Sequence, residues 1–232
     1  MMIIRTLATG STGNCYMIDD GQTRLLIELG VQFKKIQRAL NYETSKVAAA
    51  LISHSHKDHC KGVQGALDAS VDVYMSETTE REIGIQHNRI RRYENKKQFR
   101  VGTFTILPFD VQHDVENHGF LIQSDNGIKL LFATDTYYVK YRFTGLTHLM
   151  IECNYSRKIL DENVESGRIP EFLANRIIGS HFSLENLLEF LKANDLSRVQ
   201  EIHLLHLSDT NSNEEEFKRA VQATTGKLVY VP

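Results

Sequence analysis

Short runs of apolar residues alternate with polar turn residues along most of the chain, a pattern that is typical of β-strands. The pair Asp20-Gly21 predicts a hairpin between two such runs, and 125–127 predicts another turn. The runs that predict strands lie at 3–8, 15–19, 23–29, 47–52, 71–75, 104–107, 119–123, 129–133, 146–152, 199–205 and 227–231.

Apolar residues at helical spacing occur at 31–40, after Ser183 and near the C-terminus. In the last of these helices, Ser212 and Glu215 predict a capping box at the start, and Gly226 predicts the end. Two blocks of strands, each flanked by helices, predict an α/β fold with two mixed β-sheets packed together and helices outside. Residues 1–232 are interpreted as one domain.

Composition and charge narrow the function classes. The chain has 27 Lys and Arg against 29 Asp and Glu, so it is not a uniformly basic coat for nucleic acid. Arg5 interrupts the N-terminal apolar stretch, and no later run approaches the ~20 apolar residues of a membrane span. Three widely spaced cysteines without a CxxC pattern fit a reducing compartment. We therefore predict a cytoplasmic protein with no membrane partner.

The most informative segment follows the apolar run 47–52 and holds three histidines and one aspartate. In a loop that leaves a strand end, His54 and His56 are spaced to meet one metal ion, while Asp58 and His59 turn toward a second. Imidazole and carboxylate ligands suit zinc, manganese or iron. The alternatives are a His-rich surface loop or a single structural metal site.

Three further candidate ligands each follow a predicted strand, namely His113, Asp135 and His206. Strand ends are common places for functional residues because a rigid sheet holds side chains from distant parts of the chain. Asp135 is suited to bridge two cations, since a carboxylate offers one oxygen to each. A single such histidine is more often a buried core residue, but the order of these three after the His-rich loop favours ligation.

The HxHxDH pattern at 54–59, followed by His113, Asp135 and His206, resembles the metallo-β-lactamase fold superfamily. The turn Gly-Ser-Thr-Gly-Asn-Cys at 10–15 and the segment Ala-Thr-Asp-Thr at 133–136 resemble its YycJ/WalJ-like branch. Where many members carry aspartate after the early strand, this chain has Glu28, which we expect to support the ligand loop.

The resemblance implies an αββα four-layer sandwich with two divalent cations at one edge of the sheets. One cation would be held by His54, His56 and His113, the other by Asp58, His59 and His206, with Asp135 as the bridge. The branch is associated with phosphodiesterase and DNA exonuclease activity, so the implied partner is nucleic acid, DNA in particular.

In such a site a hydroxide that bridges the two metals attacks phosphorus, and Asp58 accepts a hydrogen bond from it and orients it. His181, which we expect at the start of a helix, is a candidate to protonate the leaving oxygen or to donate to the phosphate. Its rival role is as the last metal ligand in place of His206.

Two groups are candidate substrate contacts. Ser11 and Asn14 in the glycine turn either hold the substrate phosphate or brace the metal loop. Residues 81–100 carry seven basic side chains, and Arg91 and Arg92 at its centre are predicted to follow a nucleic-acid backbone. The alternative for this cluster is a solvated surface of mixed charge.

Three other functions compete with a DNA exonuclease. An RNA-processing nuclease of the same fold is the nearest. A thioester or lactam hydrolase would use the same hydroxide on a carbonyl carbon. A non-enzymatic, metal-stabilised binder is disfavoured because all seven candidate ligand positions are filled.

Overall fold

The computed structural model describes residues 2–232. These residues group into two compact units. The first comprises the chain up to Asp110 together with Phe120–Gly127, and the second comprises Val111–Gly119 and Ile128–Pro232. The interpretation of the chain as a single domain stays a prediction.

The strands of the described residues match most of the predicted apolar runs. They are β1 Ile3–Ala8, β2 Cys15–Asp19, β3 Arg24–Ile27, β4 Val47–Leu51, β5 Val73–Met75, β6 Ile90–Arg92, β7 Phe99–Val101, β8 Phe104–Val111, β9 Asn117–Ser124, β10 Lys129–Ala133, β11 His148–Glu152, β12 Glu201–Leu205 and β13 Leu228–Tyr230.

Two mixed β-sheets are present, as predicted. The first has the order β1-β2-β3-β4-β5-β6, with antiparallel pairing from β1 to β3 and parallel pairing from β3 to β6. The second has the order β13-β12-β11-β10-β9-β8-β7, in which β10 to β13 are parallel and β7 and β8 are antiparallel. The four parallel strands of the second sheet present their carboxyl ends on the same side.

Helices follow or separate the strands. They are α1 Phe33–Ala39, α2 Lys57–Cys60, α3 Val63–Asp68, α4 Glu77–Ile83, α5 Arg157–Glu165, α6 Glu171–Ser180, α7 Leu184–Ala193 and α8 Glu214–Thr225.

Parallel strands at the centre of each sheet are apolar along their length because both faces are covered. In the first unit, Leu26, Ala50 and Val73 from β3, β4 and β5 join one buried cluster with residues of α1 and α3. In the second unit, all five residues of β11 are buried. This burial fixes where each strand ends, and the polar residue that follows is thereby placed at the sheet edge.

Of the two predicted helix N-caps, one agrees with the structure and one does not. Ser183 is the N-cap of α7, as predicted, and its side chain accepts a hydrogen bond from Asn186 N. The predicted capping box at Ser212 is wrong, because the N-cap of α8 is Asn213, whose Oδ1 accepts from Glu216 N at 3.0 Å. Ser212 instead donates to the carbonyl of Ser208 at 2.6 Å. The predicted stop at Gly226 is confirmed, with φ of 66°.

Candidate metal centre

The His-rich loop leaves β4 at the carboxyl end of the strand and turns into the short helix α2. The His54 ring lies 4.8 Å from the His56 ring and 4.1 Å from the His59 ring, centroid to centroid. Asp58 Oδ2 is 3.4 Å from His59 Nε2. His54 and His59 are fully buried, and Ser53 Oγ lies 2.8 Å from His54 Nδ1. The first unit therefore gathers the four predicted ligands of this loop.

Glu28 contacts residues of the ligand loop, in agreement with its predicted supporting role. Its carboxylate is fully buried, and Oε2 lies 3.6 Å from His59 Nδ1 and 3.4 Å from the amide nitrogen of Ser53. Its backbone φ is 64°, a left-handed conformation that costs a non-glycine residue about 1 kcal/mol or more. A negative charge at this position favours the His59 tautomer that carries a proton on Nδ1.

Asn14 contacts the same loop, which favours one of its two predicted roles. It is fully buried, and its Nδ2 is 3.1 Å from His59 Nε2. Its Oδ1 accepts hydrogen bonds from Gly10 N at 3.0 Å and from the Tyr16 hydroxyl at 3.1 Å. These contacts favour the bracing role, and Asn14 as a substrate contact stays a prediction. Ser11, exposed at the tip of the turn, stays a predicted contact.

A second set of ligand-type side chains lies at the ends of three adjacent parallel strands in the other unit. Asp135 follows β10 by two residues, Glu152 ends β11, and His206 directly follows β12. His206 Nδ1 lies 3.0 Å from Asp135 Oδ1 and 2.9 Å from Glu152 Oε1, and His181 Nδ1 lies 2.7 Å from the same Glu152 oxygen. The potential ligand atoms of these four residues all lie within 4.8 Å of one another.

His113 lies beside this set. Its Nε2 is 3.9 Å from Asp135 Oδ2 and 3.1 Å from Asp114 Oδ1, and its Nδ1 is 3.2 Å from the carbonyl oxygen of Ser180. That carbonyl fixes the proton on Nδ1 and leaves Nε2 as the ligand atom. The predicted neighbours His113, Asp135 and His206 are thus brought together.

Two of these residues have left-handed backbone conformations, with φ of 51° for Asp135 and 55° for His206. Neighbouring amides stabilise both turns: Asn117 Nδ2 donates to the Asp135 carbonyl at 2.7 Å, and Asn154 Nδ2 donates to the His206 carbonyl at 2.7 Å. Such strain in non-glycine residues occurs most often at functional sites.

Glu152 is a candidate functional residue that the sequence analysis does not identify. It is fully buried, its Oε1 contacts two histidines, and its Oε2 accepts from Thr136 N at 3.0 Å and Phe182 N at 3.2 Å. The sequence contained the signal, because a glutamate at the end of a continuous apolar run meets the rule that singled out Asp135 and His206. The predicted strand 146–152 instead includes Glu152 as its last residue.

The charged forms of Glu152, His181 and His206 stabilise one another. Burial opposes ionisation of His206, but the charge of Asp135 and hydrogen bonds to Asp135 and Glu152 outweigh it and raise the pKa of His206 to about 10. Burial also lowers the pKa of His181, but the charge of Glu152 outweighs this effect, so the pKa is raised. The same contacts with His181 and His206 lower the pKa of Glu152 against the effect of burial. Without a bound cation, the raised pKa of His206 keeps its imidazole protonated at neutral pH.

His181 does not start a helix, so that prediction is wrong. It is the C-cap residue of α6, and Ser183 is the residue that caps α7. Glu152 therefore, rather than a helix N-terminus, sets the charge around His181. Both rival roles stay open, since His181 and His206 contact the same carboxylate oxygen.

The chemistry of both sets fits divalent cations. Buried imidazole nitrogens and carboxylate oxygens are the ligands of zinc, manganese and iron sites, and polar groups beside His54, His113 and His206 orient their rings. The nearby thiol of Cys60 is a poor candidate ligand, because burial raises its pKa to about 11 and it donates to the Ser55 carbonyl.

The basic segment 81–100 is largely neutralised by carboxylates. Arg91 Nη2 lies 3.2 Å from Asp72, and Arg92 lies 2.6 Å from Glu80 and 3.1 Å from Glu77. Arg89 also forms an ion pair with Asp72. This geometry favours the alternative of a solvated, mixed-charge surface, and backbone binding by Arg91 and Arg92 stays a prediction.

No helix among residues 2–232 has the length and apolar character that crossing a membrane requires.

Comparison with known proteins agrees with this architecture. Residues 23–212 match the family described as a β-lactamase superfamily domain. The exodeoxyribonuclease WalJ of Streptococcus pneumoniae is 31% identical over 90% of this chain and 82% of its own length. The exodeoxyribonuclease YycJ of Bacillus anthracis is 28% identical over 93% of this chain and 86% of its own length. The metallo-β-lactamase fold protein YhfI of Bacillus subtilis superposes with a TM-score of 0.77 at 16% identity, covering 100% of this chain and 97% of YhfI.

The chain is thus a metal-dependent hydrolase of the metallo-β-lactamase fold. Within that superfamily it belongs to the YycJ/WalJ-like branch, whose named relatives are exodeoxyribonucleases. The family and the fold class predicted from the His-rich motif and the glycine turn are therefore confirmed.

Proposed function

We propose that this protein is a DNA exonuclease that uses two divalent cations, zinc or manganese, to hydrolyse phosphodiester bonds. The observation that carries the proposal is the set of Asp135, Glu152 and His206 at the ends of parallel strands, with half-buried His181 beside them, in a chain that also has the complete HxHxDH loop. The exodeoxyribonuclease relatives support DNA as the substrate.

The proposed ligands are those implied by the family order, given in the sequence analysis. Bound cations would lower the pKa of a water molecule and neutralise charge on the phosphate oxygens. Asp135 is the proposed bridge, and Asp58 is proposed to accept a hydrogen bond from the attacking hydroxide and orient it. The left-handed turns at Asp135 and His206 fix the positions of two side chains that would hold the cations.

His181 is the proposed general acid for the leaving oxygen. Its Nδ1 is engaged by Glu152 at 2.7 Å, which fixes the tautomer and leaves Nε2 to hold the transferable proton. Glu152 is buried and also binds two backbone amides, so it orients the ring without being able to move toward substrate. Three free thiols fit a reducing compartment, and we place the activity in the cytoplasm.

The test is degradation of end-labelled DNA with added manganese or zinc, comparing linear with circular single strands and including RNA of matched sequence. We expect loss of linear DNA, protection of circular DNA, and no activity in His56→Ala. Cleavage of RNA with intact DNA would instead indicate an RNA-processing nuclease. Inert nucleic acids of both kinds would overturn the proposal and direct attention to thioesters and lactams.

A further inference from the structure

Three ligand-type side chains that the proposed activity does not use lie together in the second sheet. They are His148 at the start of β11 and Glu201 and His203 in β12, and we call them the amino-end cluster. His148 and Glu201 are register partners in neighbouring parallel strands, and His203 follows Glu201 by two residues, so all three lie on one face of the sheet. Glu152 ends β11, so the cluster is separated from the candidate metal centre by roughly 13 Å along that strand.

The Glu201 carboxylate lies between the two imidazole rings. Its Oε1 is 3.3 Å from His148 Nε2, and its Oε2 is 3.7 Å from His203 Nε2. The carboxylate is half-buried, and within residues 2–232 it accepts no hydrogen bond. A carboxylate that is partly removed from water in this way requires a cation or a proton close by.

Hydrogen bonds determine which nitrogen of His148 is free. Thr147 Oγ1 donates to the Lys129 carbonyl at 3.1 Å and accepts from Lys129 N at 2.9 Å. Because the hydroxyl proton is thus used, the ring is the donor in the 2.8 Å hydrogen bond between His148 Nδ1 and Thr147 Oγ1. In the neutral ring Nε2 then has a lone pair and no proton, and it faces the Glu201 carboxylate, which is also an acceptor.

His203 offers a second nitrogen. The residue is 8% exposed, and its Nε2 has no hydrogen-bond partner in the part of the chain that the structure describes. Its ring stacks on Tyr230 with 4.9 Å between ring centroids, while Nε2 lies on the side of Glu201. Burial lowers the pKa of both histidines, that of His203 to about 4, so both rings are neutral at pH 7 and a cation displaces no proton from them.

We infer that the amino-end cluster binds one zinc ion, separate from the candidate metal centre, through His148 Nε2, His203 Nε2 and the Glu201 carboxylate. Two imidazoles, one glutamate and a water molecule form a ligand set that zinc uses in proteins. Each ring already has a second contact that orients it, Thr147 for one and Tyr230 for the other. Because the ligands come from two strands, the ion joins β11 to β12. The inference does not depend on nuclease activity.

The test counts zinc. After equilibrium dialysis of the metal-free protein against Zn²⁺, elemental analysis should find one equivalent per chain less in Glu201→Gln and in His203→Phe than in wild type. The first variant keeps the size of the side chain and removes its charge, and the second keeps a ring that stacks on Tyr230. His118→Ala, which removes a buried histidine outside the cluster, is the control and should bind as much zinc as wild type. Manganese binds imidazole ligands more weakly than zinc, so a manganese titration of activity reports the catalytic cations.

A double variant tests whether the two sites are separate. His206→Ala combined with Glu201→Gln should lose the sum of the two single losses, and a smaller loss would contradict a separate site. Unchanged zinc content in Glu201→Gln and His203→Phe would overturn the inference and assign a shared proton to the cluster. Loss of one equivalent from His118→Ala as well would also overturn it. If wild type degrades no DNA but the difference of one equivalent is found, the proposed function fails and this inference stands.

Discussion

At the scale of single residues, one carboxylate oxygen organises two histidines. Glu152 Oε1 lies 2.7 Å from His181 and 2.9 Å from His206. If His206 is the ligand and His181 the general acid, His181→Ala should keep its full metal content and lose about 10²-fold or more in kcat, because only proton transfer is removed. His206→Ala should lose about one cation per chain. Metal analysis beside steady-state rates checks both.

The reverse pattern is equally informative. Loss of metal from His181→Ala, with metal retained by His206→Ala, would exchange the two roles. His118→Ala is a suitable control, because this buried histidine belongs to neither ligand set and its removal should change stability rather than metal content.

At the scale of elements, the ligand loop depends on three backbone segments that meet at a glycine. Gly30 N donates to the Asn14 carbonyl at 2.7 Å, and Asn14 N donates to the Asp58 carbonyl at 2.8 Å. A Cβ at Gly30 would lie 1.6 Å from Asp58 O and 2.5 Å from Asn14 N, and neither backbone atom can move away cheaply. We expect Gly30→Ala to destabilise the fold by about 3 kcal/mol and to lower metal content, measured by urea unfolding and metal analysis.

Gly179→Ala is the matched control for that prediction. Position 179 lies within α6, and a Cβ there meets no atom within 4 Å. Alanine should therefore be neutral or stabilise the helix by up to about 1 kcal/mol. Equal stability of the two variants would contradict the role assigned to Gly30.

The elements also show why part of the structure could be predicted from sequence. β1, β2 and β10 have their predicted bounds, because continuous apolar runs between turn residues identify buried strands. Helices α5 and α6 were not predicted. Each buries only two residues, Leu160 and Asn163 in one and Ala174 and Ser180 in the other, so each offers few apolar positions to a sequence pattern.

Some residues of the candidate site could likewise be predicted from the sequence, and others could not. His113, Asp135 and His206 were found because each follows a strand, whereas Glu152 was hidden as the last residue of one. The sequence could offer bracing of the loop by Asn14 only as an alternative, since a hydrogen bond to a residue 45 positions away leaves no local pattern.

At the scale of the whole molecule, the proposed activity requires ligands from segments far apart in the chain, 54–59 and 113–206. Cation binding must also displace a proton from His206, whose pKa is raised to about 10 in the metal-free protein. Because protons compete more strongly as the pH falls, more cation should be needed for half-maximal activity at pH 7 than at pH 8.5.

The most direct measurement is therefore a titration of the metal-free protein with Mn²⁺, following nucleotide release from end-labelled single-stranded DNA. We expect no release without metal, activity that saturates near two equivalents per chain, and no recovery in His56→Ala. Release by the metal-free protein, or saturation at one equivalent, would contradict a two-cation nuclease.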